Sequence, residues 1–194
     1  MDFLLDLDQS LFIFLNSLGS VNFDSFWLFI SESSVIEAIY LALVIKFLWF
    51  FKIKDIKSIL IFLLSMILMI VFTDQSSTFF KEFFERLRPC HNPELIEIIR
   101  IVKNGCGGLY GFFSAHAANT FAFATFMYFL TPNEQKYKRT SFFLFIWAAI
   151  ISYSRIYIGV HFPLDILIGA VYGFLSGYFF HKPFLYFKKS KLLL

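Results

Sequence analysis

Charge is what this chain has least of. Of its 194 residues only 16% are Asp, Glu, Lys or Arg and 58% are hydrophobic, whereas a soluble domain carries about 25% charged residues. With a mean hydropathy of +0.70, that scarcity excludes a soluble globular domain and leaves an integral membrane protein. Cysteine is nearly absent: Cys90 and Cys106 alone are too few for a disulfide-rich scaffold or a structural metal cluster. No His-Glu-x-x-His sequence occurs, which removes one helical zinc-hydrolase motif. The start, Met1-Asp-Phe-Leu-Leu-Asp-Leu-Asp, lacks the basic opening and the small-residue cleavage site of a secretory signal peptide, so it reads as part of the mature chain. No repeat, low-complexity tract or linker divides the sequence, and residues 1–194 read as a single membrane-embedded domain.

What is present in quantity is apolar length. Uncharged runs, measured against the roughly 20 residues needed to cross a bilayer, give five expected spans at about 34–51, 57–80, 112–130, 140–158 and 164–187. Glu37 and Lys46 fall inside the first, and Glu37 reads as a buried charge with no evident role. Over residues 3–18 apolar positions recur at three and four spacing with Asp6, Asp8, Gln9 and Asn16 between them, which suits a helix lying in the membrane interface. Asn22, Asp24 and Ser25 then interrupt any continuous run. Residues 1–33 are therefore expected to form an interfacial arm, a sixth span being the alternative. The fold class expected is all-α, a polytopic membrane helix bundle.

An odd number of spans puts the termini on opposite sides. Lys52, Lys54, Lys57, Lys136, Lys138, Arg139, Lys182, Lys188, Lys189 and Lys191 share one side, and Asp2, Asp6, Asp8, Asp24, Glu32, Glu82, Glu85, Glu94 and Glu97 share the other. The positive-inside rule makes the first side, with the C-terminus, cytoplasmic. The long connection 82–111 then lies outside, where Pro89, Pro93, Asn104-Gly105, Gly107-Gly108 and Gly111 signal turns. Cys90 and Cys106 sit in that loop, in a compartment that permits disulfides, and are expected to pair. Closing a loop of about 15 residues contributes on the order of 3 kcal/mol in the chain-entropy model.

Three fragments of this outer layer share one chemistry. The first runs from Lys81 to Arg88-Pro89; the two cations stand about two helical turns apart, on one face if the helix runs through, while Pro89 favours ending it at Arg88. Arg86, between them, reads as an ordinary surface charge. In the second, Ser114-Ala115-His116, the serine is placed to cap the third span, and a capped helix start is a ready anion site beside which His116 would stand. In the third, Ser154-Arg155 is followed by His161 and Asp165. Pro163 suits the first position of a helix, which lets Asp165 reach back to His161, fix its tautomer and leave the other nitrogen as a nucleophile. Two His and one Asp could also ligate zinc, but Lys81, Arg88 and Arg155 in the same layer would repel a divalent cation and attract a phosphate. No metal or cofactor is expected. His91 reads as loop decoration, His181 falls at the cytoplasmic end of the last span, and Asp74 is placed to orient Lys81 or Arg155.

Together the fragments resemble the signature of the type 2 phosphatidic acid phosphatase superfamily, the acid-phosphatase-like membrane lipid phosphatases: Lys-x6-Arg-Pro, Pro-Ser-Gly-His and Ser-Arg-x5-His-x3-Asp. The first and third match in full at Lys81–Pro89 and Ser154–Asp165, and the second stands as Phe113-Ser114-Ala115-His116. The resemblance covers about 85 residues with the order intact. It implies a metal-independent lipid phosphatase in which His161 forms a phosphohistidine, Asp165 orients it, and His116 protonates the leaving oxygen and later activates water. Lys81, Arg88, Ser114 and Arg155 would hold the phosphate. Phe113 and Ala115 replace Pro and Gly of the pattern, a departure that bears on substrate fit.

The expected partners are a membrane lipid phosphate and the bilayer, with no nucleic acid and no obligate protein partner. Undecaprenyl diphosphate and the 1-phosphate of lipid A lead the substrate expectations, followed by phosphatidylglycerol phosphate and phosphatidic acid. Alternatives are a lipid-to-lipid phosphotransferase using the same histidine and, more remotely, a non-enzymatic lipid-binding or transport protein. The expected location is a bacterial-type cytoplasmic membrane with the site on the outer face.

Overall fold

The computed structural model describes residues 2–103, 105–131 and 133–191. Asn104, expected in a turn, lies outside them, as do the side chains of Lys136, Lys188, Lys189 and Lys191. The described chain is helical: α1 (Asp2–Ser17), α2 (Val21–Ser31), α3 (Ser33–Phe50), α4 (Ile56–Phe84), α5 (Ala115–Leu130), α6 (Gln135–Tyr157), α7 (Pro163–Phe180) and α8 (Lys182–Lys191). Four stretches, Ser33–Phe50, Ile56–Phe84, Tyr137–Tyr157 and Pro163–Tyr186, are long and apolar enough to cross a membrane. The protein is thus an all-α membrane helix bundle.

Asp55 starts α4 by accepting from the Ser58 amide at 2.9 Å, which satisfies one of the free N–H groups of a helix start. At 29 residues α4 is about 44 Å long, more than the roughly 30 Å hydrocarbon core, so its last turns lift Lys81 toward the polar layer. Glu37, expected as a buried charge, is exposed on α3.

The third expected span is shortened. Its helix, α5, has 16 residues and so covers about 24 Å, because Phe112 and Phe113 belong to the preceding loop and Ser114 is the cap. Neighbours rather than lipid surround it: Ala117, Ala118, Ala122, Phe123, Ala124 and Phe126 are all buried. Helix α5 still joins the two layers, from Ser114 at one end to Thr131 at the other, whose hydroxyl lies 2.7 Å from Ser141 Oγ of α6.

Close packing holds α5 on α7. Gly169, Gly173 and Gly177 of α7 bring that backbone onto Ala118, Ala122 and Thr125 of α5, the small-residue route to tight helix contact in an apolar medium. Polar contacts tie α4 to both: Thr73 bonds Asn119, Ser77 Oγ donates to the Phe113 carbonyl at 2.8 Å, and Tyr172 Oη donates to Ser76 Oγ at 2.6 Å. At the far end the last expected span runs on through His181, whose backbone stays helical, into α8, and Phe184 of α8 packs on Phe62 of α4.

The N-terminal arm lies against the loop end of the bundle. Helices α1 and α2 meet at 114°, though length and composition would also admit them as one broken span. Asn16 fastens the bend: its amide donates to the Arg100 and Ile156 carbonyls at 3.0 Å and to that of Tyr157 at 3.1 Å, and its oxygen accepts from the Arg100 amide at 2.7 Å. Asp24 adds a pair with Arg100 at 2.9 Å and accepts from Tyr157 Oη at 2.8 Å. These bonds fix α1 and α2 beside the end of α6, in the layer where the three motif fragments meet.

Candidate active site

Helix α4 does not run through to Arg88. It ends at Phe84, and Glu85 takes a left-handed conformation, φ 47°, that turns the chain back. Lys81 and Arg88 therefore converge by a chain reversal, not along one helical face. Residues 86–88 pair with 109–111: the Gly111 amide donates to the Arg86 carbonyl at 2.8 Å and the Arg88 amide to that of Leu109 at 3.1 Å. The Arg88 guanidinium is aimed by two carbonyls of the same loop, Tyr110 O at 3.1 Å and Cys106 O at 3.2 Å.

Cys90 and Cys106 are bonded in the structure, their Cα atoms 6.1 Å apart. Since Cys106 supplies a carbonyl that holds Arg88, opening this loop loosens a cation of the site. A Cys90→Ser/Cys106→Ser chain is expected to lose about 10-fold in kcat/KM, the scale of a small misplacement at a reacting centre. Initial rates beside a thiol count on the unreduced, unfolded wild type check this. Two reactive thiols in the wild type, or a double variant with full activity, would sink the proposed pairing and its role.

Ser114 caps α5 as its position foretold: the Ala117 amide points to Ser114 Oγ at 3.5 Å. Its own amide donates to the Asp165 carbonyl at 3.1 Å, so the starts of α5 and α7 are tied together. Phe113 is 1% exposed, wedged among Phe80, Phe112 and Tyr172. It supports the join of α4 to α7 and cannot touch a headgroup, so of the two departures from the pattern only Ala115 remains near the site.

A tight loop carries the third fragment from α6 to α7. Gly159, at φ +86°, makes the turn, and the amides of Val160 and His161 fold back on the Arg155 carbonyl at 3.0 and 3.3 Å. Pro163 opens α7, and Asp165 Oδ2 accepts from the Phe162 amide at 3.0 Å and faces His161 Nδ1 at 3.4 Å. His161 is 2% exposed. Burial first, then the charges of Arg88, Arg155 and Lys81, hold its pKa well below the ordinary histidine value, so the ring is neutral at pH 7. Gly111 packs so close that a Cβ there would stand 3.2 Å from both Arg88 Cγ and Asp165 Oδ2 and 3.6 Å from His161 Nδ1.

Lys81, Arg88, Ser114, His116, Arg155, His161 and Asp165 thus occupy one layer. His116, in the first turn of α5, sits near enough to interact electrostatically with Arg155 and His161, and Asp74 and Asp165 are the carboxylates whose charge reaches Lys81. The charges of Arg88, Arg155 and Lys81 all reach His161, while the carboxylate beside it is already paired with Arg86. Arg155 is 4% exposed, donates Nη1 to the Ser31 carbonyl at 3.2 Å, and has no partner for Nε among the described residues. A buried N–H of this kind is costly unless an acceptor arrives; an anion supplies one. Among the described residues no group of three His, Cys, Asp or Glu side chains converges as metal ligands.

Two parts of the site escape the motif reading. The junction of α2 and α3 reaches it: besides Ser31 on Arg155, Ser33 Oγ lies 3.5 Å from His116 Nε2. Arg86 is no ordinary surface charge: Nη1 donates to Asp165 Oδ1 at 2.7 Å, Nη2 bonds Asp8 of α1, and the guanidinium lies 4.2 Å over the Phe162 ring. Only the Arg-x-Arg-Pro run beside the motif hinted at it. His91 stays on the loop, 3.4 Å from the Gly107 carbonyl, and His181 stacks on Phe129 at the opposite end.

The sequence model of the PAP2 superfamily matches residues 58–189. A lipid A 4'-phosphatase of Porphyromonas gingivalis is 36% identical over 96% of this chain and 76% of its own length. One of Bacteroides thetaiotaomicron is 32% identical over 93% and 78%. Among solved structures, LpxE of Aquifex aeolicus is similar at TM-score 0.63 and 27% identity, covering 91% of this chain and 95% of that one. A PAP2-type phosphatidylglycerolphosphate phosphatase of Bacillus subtilis shares the fold at TM-score 0.68 and 20% identity, over 93% and 85%.

Proposed function

The chain belongs to the PAP2 superfamily and is a membrane lipid phosphatase, and from that premise we propose that it removes the 4'-phosphate of lipid A through a phosphohistidine on His161. The observation that carries the chemistry is the cationic shell. Lys81, Arg88 and Arg155 all act on one buried, neutral imidazole, and the Arg155 Nε has no acceptor among the described residues. With Nδ1 turned to Asp165, Nε2 is the nitrogen presented for attack. It bonds to phosphorus as the bond from phosphorus to the sugar oxygen breaks, and His116 gives its proton to that oxygen. Water then attacks the phosphorus, the bond from phosphorus to Nε2 breaks and returns its electron pair to His161, His116 takes the water's proton, and inorganic phosphate leaves. The cations carry the charge that builds on the equatorial oxygens.

The substrate reading draws on the two curated relatives, each named for lipid A 4'-phosphate. Their names favour the 4'-phosphate, at the other end of the lipid A disaccharide from the 1-phosphate that leads the sequence-based expectations together with undecaprenyl diphosphate. The separation of basic from acidic residues supports a site on the outer face of the cytoplasmic membrane with the C-terminus inside.

Phosphate release from lipid A, undecaprenyl diphosphate, phosphatidylglycerol phosphate and phosphatidic acid tests this, with the purified chain in detergent, with and without EDTA. Lipid A is expected to be turned over fastest, undiminished by EDTA, with mass spectrometry showing loss of the 4'-phosphate and retention of the 1-phosphate. A product lacking only the 1-phosphate defeats the substrate reading. Activity that disappears with EDTA and returns with a divalent metal defeats the mechanism.

A further inference from the structure

The contacts of Arg86 reach beyond the family pattern to Asp8, outside the matched residues 58–189. Asp165 has two oxygens and three claimants: Oδ1 accepts from Arg86 Nη1 at 2.7 Å, while Oδ2 accepts from the Phe162 amide at 3.0 Å and faces His161 Nδ1 at 3.4 Å. A guanidinium prefers to grip a carboxylate with both arms of its fork. Here the second arm is taken, since Nη2 of Arg86 bonds Asp8 Oδ2. Asp8 is itself fixed, its Oδ1 accepting from the Leu164 amide in the first turn of α7 at 2.7 Å. Phe12, one turn along α1, packs edge-on against Phe162 at 5.2 Å between ring centroids, and Arg86 lies over that same ring. Asp8 is 7% exposed and Asp165 fully buried.

Resting on the reading of His161 as nucleophile, we infer that Asp8 is a positioning residue for the reaction: by holding one arm of Arg86 it keeps that arginine one-armed on Asp165, which reserves Oδ2 for His161. Without Asp8 the fork turns, grips both oxygens of Asp165 and displaces the imidazole from its partner. The nucleophile then loses its fixed tautomer and direction while the cations that bind phosphate stay in place. The consequence falls on kcat rather than on KM. The N-terminal arm is on this account part of the catalytic apparatus as well as a cover over it.

The test compares the full chain with Asp8→Asn, Arg86→Lys and the double variant, in initial rates over a range of bisphosphorylated lipid A, with phosphatidic acid as a second probe. Asparagine keeps an oxygen for the Leu164 amide, so α7 stays capped, but no longer attracts the guanidinium. Asp8→Asn is expected to lose about 10-fold to 100-fold in kcat with KM changed less than about twofold. Arg86→Lys, whose ammonium cannot fork, is expected to retain more activity than Asp8→Asn, and adding Asp8→Asn to it to change little further. Undiminished kcat in Asp8→Asn, a rise in KM alone, or an equal loss on the lysine background overturns the inference. If only phosphatidic acid is turned over, the lipid A reading fails and the same four rates still decide the role of Asp8. A wild type silent on both probes overturns both, whereas an active wild type with an unaffected Asp8→Asn overturns this inference alone.

Discussion

His161→Ala is expected to lose phosphate release by at least about 10,000-fold, as when a nucleophile is deleted from a residue set that acts as a unit. Among the described residues of the layer none is placed to substitute for it. His116 sits on a different helix, and Asp165 is turned toward Arg86 and the Phe162 amide. His116→Ala should be milder, about 100-fold to 10,000-fold, the contribution of a general acid, because attack on phosphorus survives while protonation of the leaving oxygen falls to water. Quenching the wild type at alkaline pH during turnover of labelled substrate should trap phosphate on the chain, and mapping should find it on His161. Label on His116, or more than about one per cent of wild-type rate in His161→Ala, would remove the phosphohistidine proposal.

This site was legible where its residues stand close in sequence. Ser114 before an apolar run and Pro163 two residues after His161 announce helix starts, and both helices begin there, α5 capped by Ser114 Oγ and α7 opened by Pro163 with Asp165 Oδ2 accepting from the Phe162 amide. Arg86 was illegible for the opposite reason. Its partners Asp8 and Asp165 lie 78 and 79 residues away, and no spacing rule links an arginine to carboxylates on separate helices. Ser31 and Ser33 escaped because a serine between two apolar stretches signals a helix boundary and nothing more, yet the boundary between α2 and α3 falls over Arg155 and His116. The length of α5 was misjudged by counting apolar residues through the cap: Phe112 and Phe113 are as apolar as a span requires, but Ser114 starts the helix after them. Hydropathy records what is removed from water and cannot separate burial in lipid from burial in protein.

That distinction decides what Gly173→Val should do. A glycine at lipid-facing depth would accept valine with little change; Gly173 faces α5. A Cβ there would stand 2.2 Å from the Ala118 carbonyl oxygen, 2.9 Å from its carbon and 2.9 Å from the Ala122 amide nitrogen. All three are backbone atoms, so no side chain can swing aside and the two helices must part. Gly169 and Gly177, one turn to either side, would meet Ser114 O at 2.7 Å and Ala122 O at 2.4 Å, so parting at the centre also opens the contacts above and below. Overpacking ordinarily costs about 1–3 kcal/mol, and with no soft neighbour to yield the upper end or beyond is expected. The damage extends to the site, since the Ser114 amide on the Asp165 carbonyl, 3.1 Å, joins the two helix starts that carry His116 and Asp165. Gly173→Val should therefore lower the thermal unfolding midpoint in detergent by several degrees and depress kcat in the protein that remains folded. Valine at Leu167, which is 60% exposed on the same helix, should do neither, and equal behaviour of Gly173→Val and Leu167→Val would show that the α5–α7 contact does not hold the site together.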